Sequence, residues 1–194
     1  MKLARFSGRC LTALVVGTAT AGALLTNAVA ARPTHPTGRQ PASVVTSGYV
    51  YARNCPGSGA DDVVDRWKLD ECNCTSYVAW ALEANGQRTD WFVPGEMDAE
   101  NWPLVARAAG LRVGRRPTVG AIAVWPDVAP PFGHVAYVTG VHGGMYFDVA
   151  EYNLPVAHGG SKFGFDTRHG LTADGEVLFI TVPRRPSQPA QGAA

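Results

Sequence analysis

Cysteine is scarce in this sequence, with four residues among 194, at positions 10, 55, 72 and 74. No second cysteine pair follows, and the five histidines are scattered. A structural zinc site uses four Cys or His ligands at short, regular spacings. Zinc is therefore the less favoured use of these residues, and we expect neither a metal nor any other cofactor.

The chain also lacks a strong charge of either sign, since 17 basic and 16 acidic residues give a formal charge of +1. Residues 1–30 hold three of the basic residues and none of the acidic ones, so the remaining chain would carry −2. Nucleic acids and anionic membranes are bound by clustered Lys and Arg. Neither is expected as a partner.

Long hydrophobic runs are missing as well. The longest, "LTALVVGTATAGALL", has about 15 residues, whereas a helix that spans a bilayer needs about 20. Basic residues precede the run, and Ala28 and Ala30 follow it in a small-x-small pattern that is typical of a cleaved signal peptide. We expect residues 1–30 to be removed and the product to be secreted, without a membrane anchor.

Removal of residues 1–30 would take away Cys10 and leave an odd number of cysteines in an oxidising compartment. One disulfide and one free thiol is the simplest arrangement. Cys72 and Cys74 are too close in sequence to bridge each other comfortably, so Cys55 would pair with one of them. The spacing leaves open which of the two remains a thiol.

Two segments, residues 31–47 and 184–194, are rich in Pro, Ser or Thr and show no periodicity. They predict a linker and a disordered tail. No internal repeat is visible, and about 164 residues without the signal peptide suffice for one core. We expect one folded domain at residues 48–183, and a monomer.

The folded part begins with two helical patterns. From Cys74 onward, "ECNCTSYVAWAL" places apolar residues at i, i+3, i+4, i+7 and i+8, with Asn73 positioned to cap the helix and Asn85-Gly86 to end it. Cys74 would then lie in the first turn and face inward. A second helix is predicted in "DAENWPLVARAAG", which ends at Gly110.

Later segments are β-branched or aromatic and are bounded by turn residues; they are residues 121–125, 134–141, 145–153 and 177–182. Residues 126–133 and 154–170 read as loops between them. Helices followed by strands indicate an α+β fold with an antiparallel sheet.

Gly143-Gly144 predicts a hairpin with a two-residue turn between the second and third of these strands. In that register His134 lies directly opposite Asn153, and Glu151 falls on the same face of the sheet. An odd-length turn or a bulge would move Glu151 to the other face. The alternative is an ordinary hairpin with a polar outer face.

A cysteine in the first turn of a helix and a histidine on a nearby hairpin can form a nucleophile and its base. The helix dipole and the free backbone N–H groups favour the thiolate, and an adjacent imidazole strengthens the effect. The histidine needs an orienting group on its other nitrogen. Either Glu151 or Asn153 could fill that role for His134.

Five motifs occur in one order over residues 70–153; they are "NCTSYVAW", "DAENW", "PTVGAIAVWP", "GHVAYV" and "EYN". In this set the sequence resembles the CHAP family of cysteine, histidine-dependent amidohydrolases and peptidases. The resemblance implies a papain-like fold, with helices packed on a small antiparallel sheet. It also implies hydrolysis of amide bonds in peptidoglycan, outside the cell at the wall.

Carried over by position, the resemblance makes Cys74 the nucleophile and His134 the general base, with Glu151 and Asn153 as the remaining polar residues. Cys72 lies before the motif and is then free to pair with Cys55. The cleaved bond could be the sugar–peptide amide, as in an N-acetylmuramoyl-L-alanine amidase, or a bond within the peptide. A catalytically silent wall-binding module on the same fold is the alternative function. Trp67, Trp91 and Phe132 could line a substrate groove.

Overall fold

The computed structural model describes residues 46–55, 63–95 and 97–186. The predicted signal peptide, most of the predicted linker and most of the predicted tail lie outside the described residues. All of the described residues fall within one compact unit of the chain. In this described part, every helix is too short or too polar to reach across a bilayer.

Helix α1 spans Cys74–Ala84 and begins at the residue that the sequence pattern predicts. Residues 75–82 are all buried, so the helix is enclosed on every side there, whereas the sequence pattern predicts burial along one apolar stripe. Asn73 is the N-cap residue, but its side chain makes no capping hydrogen bond. Its Oδ1 instead accepts a hydrogen bond from the Asn153 amide. Asn85 ends the helix as predicted.

Helix α2 spans Trp102–Ala108 and follows a single 3-10 turn at Ala99–Asn101. Pro103 has no backbone N–H, and it is tolerated because residues in the first turn of a helix have no intrahelical acceptor for that group. Trp102 is fully buried, and its indole N–H donates to the Met97 carbonyl at 3.0 Å. This bond fixes the loop that precedes α2.

Six antiparallel strands form one sheet in the order β1-β6-β2-β3-β4-β5. Their bounds are β1 Arg112–Gly114, β2 Ile122–Trp125, β3 His134–His142, β4 Tyr146–Tyr152, β5 Phe165–Thr172 and β6 Leu178–Thr181. Strands β1 and β5 therefore form the two edges. The predicted α+β class, with helices packed on an antiparallel sheet, is confirmed.

The two faces of the sheet belong to separate apolar clusters. On one face, Tyr137 and Ile180 pack with α1 and α2 residues such as Tyr77. On the other, Phe147, Val149 and Phe179 form a smaller cluster with the half-buried Trp125. Side chains alternate between faces along a strand, so both faces of β3 and β4 are buried and their pairing register is strongly constrained.

Residues 154–170 were expected to form a loop, and for the last six of them this is wrong. They belong to β5, which pairs with β4 at both of its ends, with a register shift between the Phe147 and Val149 pairs. No residue of β5 is buried, and its sequence "FDTRHGLT" lacks the apolar alternation that signals a strand. Backbone pairing with β4 holds this edge strand in the sheet, and β1, with three residues, is too short to be recognised.

The predicted two-residue turn is also wrong, because His142 pairs with Tyr146 across a three-residue turn. A one-residue bulge between Val138 and Gly140 then shifts the register back, so that Tyr137 pairs with Ala150 as predicted. A bulge inserts one extra residue into one strand. The odd turn and the bulge cancel, and the strand positions beyond them face as the sequence predicts.

A disulfide joins Cys55 and Cys72, with Cα atoms 5.5 Å apart. This is the pairing that the family resemblance implied. Cys72 is fully buried immediately before α1, so the bridge ties the start of the helix to the N-terminal part of the domain. Cys74 is the free thiol.

Candidate active site

A cavity of about 610 Å³ opens between the start of α1, the start of β3 and the end of β4. Cys74 and His134 line it together with Asn73 and Asn153. Further lining residues are Asp70, Thr75, Asp98, Ala99, Ala129, Phe132, Gly133, Pro155, Val156 and Lys162. The structure thus brings the predicted cysteine and histidine to one concave surface that a substrate can enter.

Cys74 is the first residue of α1 and is half-buried. The first N–H groups of an α-helix have no intrahelical acceptor, and here Tyr77 is the first residue to donate back, to the Asn73 carbonyl. The backbone N–H groups of the first turn are therefore available at the thiol. They can bind negative charge that develops on the sulfur or on a carbonyl oxygen next to it.

His134 begins β3, and only 1% of its side chain is exposed. Its Nε2 lies 2.8 Å from Glu151 Oε2, and the ring also interacts electrostatically with the Cys74 thiol. Because Glu151 occupies Nε2, Nδ1 is the nitrogen left for the sulfur. Burial alone would lower the pKa of His134, but the interactions with Cys74 and Glu151 outweigh it and raise the pKa to about 9.

Glu151 is fully buried on β4. Its carboxylate accepts hydrogen bonds from His134 and from the guanidinium of Arg168 on β5. Burial by itself would raise the pKa of this carboxyl group, yet the two cationic partners hold it below its ordinary value. Of the two candidates for orienting His134, the structure therefore places Glu151 against the ring.

Asn153 lies elsewhere in the cavity wall. Its amide donates to Asn73 Oδ1, and its own Oδ1 accepts from the Phe163 N–H at 2.8 Å. Its backbone has a φ of 54°, a left-handed conformation that Asn adopts more readily than most residues. Asn153 thus connects the end of β4 to the residue before Cys74.

Two residues of the site were not recognised from the sequence. Arg168 binds Glu151, and its guanidinium lies over the ring of Trp125, 4.9 Å from the centroid. Trp125 lies at the end of the strand predicted for residues 121–125, and Arg168 lies in the segment expected to be a loop. A cross-strand ion pair leaves no local pattern in a sequence, because it depends on which strands are neighbours.

Of the three aromatic residues expected to line a groove, one lines the cavity and two do not. Phe132 lines the cavity and is largely exposed. Trp91 is buried and packs edge-on against Trp102 in the core, so the groove expectation is wrong for it. Trp67 is half-buried, beneath the guanidinium of Arg66 and outside the cavity lining. Within the described ranges, no three His, Cys, Asp or Glu side chains are arranged to hold a metal ion.

Residues 64–153 match the family profile of the CHAP domain. Among characterised proteins, the chain is 37% identical over 81 residues to the probable autolysin LDP of Staphylococcus aureus (strain NCTC 8325 / PS 47). That alignment covers 42% of this chain and 27% of the relative, so the chain spans about a quarter of the relative's length.

Two solved structures are also similar. One is an N-acetylmuramoyl-L-alanine amidase from Staphylococcus aureus, at 23% identity and a TM-score of 0.46, over 59% of this chain and 31% of the amidase. The other is Ly7917, at 18% identity and a TM-score of 0.40, over 68% of this chain and 61% of that one. The match to the CHAP domain family runs from Val64 to the end of the "EYN" motif, which is 90 of the 194 residues.

Proposed function

We propose that this protein is an exported peptidoglycan hydrolase that cleaves an amide bond, with Cys74 as the nucleophile and His134 as the base. The observation that supports it most is that Cys74 and His134 line one cavity of about 610 Å³, where His134 interacts with the Cys74 thiol and is hydrogen-bonded to Glu151. The CHAP family match and the similarity to a probable autolysin support peptidoglycan as the substrate.

In the first half of the reaction, the Cys74 sulfur attacks the amide carbonyl carbon and forms a tetrahedral intermediate. The N–H groups at the start of α1 donate hydrogen bonds to its oxyanion. His134, protonated by the thiol, then gives its proton to the departing amine as the C–N bond breaks. A thioester on Cys74 and a free amine result.

In the second half, neutral His134 removes a proton from a water molecule, whose oxygen attacks the thioester carbonyl. Collapse of this intermediate releases the carboxylic acid and returns the proton to Cys74. Glu151 accepts the hydrogen bond from His134 Nε2–H in both halves, which keeps Nδ1 directed at the sulfur and stabilises the imidazolium. The protein ends as it began.

The disulfide supports export. Disulfides persist in oxidising compartments and are rare in the cytosol of ordinary bacteria, and the bridge from Cys55 to Cys72 closes a separation of 17 residues. The signal-peptide pattern of residues 1–30 points to the same route. Action at the cell wall follows from export together with the proposed substrate.

Mass spectrometry of fragments released from purified peptidoglycan tests the proposal and identifies the bond. An amidase frees intact peptides with a new N-terminal alanine, whereas an endopeptidase leaves alanine on the sugar and frees an amino group within the stem. C74A should release no fragments and retain the melting temperature of the unaltered protein. Binding to the wall without release of fragments by the unaltered protein would instead identify a silent wall-binding module.

A further inference from the structure

We propose that Arg168 is a positioning residue of this active site, which acts on His134 through the carboxylate of Glu151. The inference rests on the proposed function, because it takes His134 as the base of the reaction. Arg168 lies on β5, beyond residues 64–153 that match the family profile. It is therefore a contribution of this chain outside the matched motifs.

The contacts have the form of a fork. Arg168 Nε donates to Glu151 Oε1, and a terminal N–H donates to Oε2 at 2.8 Å. The same Oε2 lies 2.8 Å from His134 Nε2. A bidentate arginine fixes the plane of a carboxylate as well as its position. The orientation of Glu151 toward His134 is thus set from the β5 side.

Arg168 is itself held in place by Trp125. The guanidinium lies 4.9 Å from the ring centroid, within the range of a cation–π interaction. Trp125 is also paired directly with His134 in the register of β2 and β3, and their ring centroids are 6.0 Å apart. One aromatic side chain thus packs against both partners of Glu151.

The sheet register places this interaction. Arg168 pairs directly with Val149, which lies two residues before Glu151 and on the same face. Arg168 and Glu151 are therefore diagonal neighbours across two strands, a separation that a long side chain can bridge. A shift of β5 by one residue would turn Arg168 to the opposite face.

Other ionisable groups near Glu151 are already occupied. Asp166, directly opposite on β5, accepts hydrogen bonds from the Ser161 N–H and hydroxyl. The Tyr77 hydroxyl of α1 donates to the Thr46 carbonyl, and its pKa is raised mainly by burial. From β3 and β5, the cations that reach the carboxylate are His134 and Arg168.

The consequence of removing Arg168 follows from the burial of Glu151. A buried carboxylate that loses one of its two cationic partners takes up a proton more readily, because an opposite charge within about 4–6 Å lowers a carboxyl pKa by roughly 1–3 units. Without Arg168, Glu151 would be protonated at a higher pH. Neutral Glu151 no longer stabilises the charged His134, so activity would fail sooner as the pH falls.

The test compares R168M and R168K with R112M. Arg112 is the matched control, because it lies on the opposite edge strand β1 and donates across to Thr181 Oγ1 at 3.4 Å, away from the site. The acid limb of kcat/KM on peptidoglycan fragments should move up by about one pH unit in R168M. In R168K, which keeps the charge without the fork, the shift should be smaller, and R112M should show none.

A double variant separates positioning from general structure. In an E151Q background, R168M should not shift the pH dependence of Cys74 alkylation by iodoacetamide any further, because Glu151 is no longer ionisable. An unchanged acid limb in R168M, or an equal shift with and without E151Q, would overturn the proposal. If circular dichroism shows that R168M does not fold, the same comparison is made with R168K, alone and combined with E151Q.

Alkylation requires no substrate, so it keeps the two proposals apart. If the unaltered protein releases no wall fragments, the proposed function fails, while the alkylation profiles still test whether Arg168 acts through Glu151. If fragments are released and the R168M profiles match those of the unaltered protein, the proposed function stands and the role of Arg168 fails.

Discussion

The β3–β4 hairpin contains two histidine–carboxylate pairs that differ little in their bond and greatly in their surroundings. His134 Nε2 lies 2.8 Å from Glu151 Oε2, and His142 Nε2 lies 2.8 Å from Asp148 Oδ2. The side chains of the first pair are 1% and 0% exposed, and those of the second 62% and 17%.

Their other partners differ as well. His134 also contacts a thiol, whereas Asp148 has His169 Nδ1 at 3.5 Å and accepts from the Gly170 N–H at 2.9 Å. The hydrogen bond from His142 is the main reason why the pKa of Asp148 lies below its ordinary value. An equal distance therefore does not make an equal site. Burial and the neighbouring thiol distinguish the pair that can take part in catalysis.

Breaking each pair at its histidine should give the largest contrast. H134A should lower kcat/KM on peptidoglycan fragments about 10⁴-fold or more, because the nucleophile loses its base and the leaving amine its acid. H142A should stay within about twofold, since surface substitutions away from a site have small effects. Equal losses in the two variants would mean that the buried pair has no special role.

Neutralising each carboxylate comes next in size. E151Q should reduce activity roughly 10²- to 10⁴-fold, because the amide cannot stabilise a charged His134 as a carboxylate does. D148N is the matched control and should leave activity unchanged. A fragment-release assay at neutral pH measures both, and melting temperatures show whether E151Q is still folded. An active E151Q would contradict the assigned role of Glu151.

A site residue could be predicted from the sequence when local patterns determine its position, and not when its position depends on contacts between distant strands. Cys74 at the first turn of α1 follows from local periodicity and is found where expected. The face shared by His134 and Glu151 follows from the alternation of β-strands. It was obtained despite a wrong turn, because the bulge in β3 compensates for the extra turn residue. Apolar burial on both faces of the hairpin favours the register that the sequence predicts.

Arg168 and the choice between Glu151 and Asn153 could not be predicted in the same way. Glu151 and Asn153 are two residues apart, and alternation assigns them to one face. The end of β4 is where Asn153 leaves the strand geometry with a φ of 54° and bonds to Asn73 instead. The pairing of β5 with β4 depends on a fold-wide strand order. The sequence of a polar edge strand such as β5 contains no local signal for its place in that order.

The two histidine–carboxylate pairs should affect the free energy of unfolding in different pH ranges. The folded pKa of His134, about 9, lies above its ordinary value of 6.5. The stabilisation from its charged form is therefore fully present below about pH 6.5 and lost as the pH rises through about 9. The lowered pKa of Asp148 gives stabilisation that is present above its ordinary 3.8 and lost as the pH falls below it.

Urea unfolding at a series of pH values measures both windows. H134Q should remove the loss of stability between about pH 6.5 and 9, a change on the order of a few kcal/mol. D148N should affect only the acid side. If the free energy of unfolding still falls between about pH 6.5 and 9 in H134Q, a group other than His134 causes the loss.

Salt should produce the smallest contrast. The pair of His142 and Asp148 is open to solvent on the histidine side, and such pairs contribute about 1 kcal/mol or less and are screened by ions. The difference in unfolding free energy between D148N and the unaltered protein at pH 5 should shrink in 1 M NaCl. The difference for E151Q should persist, because its partners are buried. Equal salt sensitivity would argue that both pairs are solvated.

The central claim is that His134 activates Cys74, and the rate of Cys74 alkylation by iodoacetamide across pH tests it most directly. Near neutral pH, the unaltered protein and H142A should react much faster than H134A, in which no imidazole lies beside the thiol to take up its proton. Coincident profiles for the unaltered protein and H134A would contradict the claim.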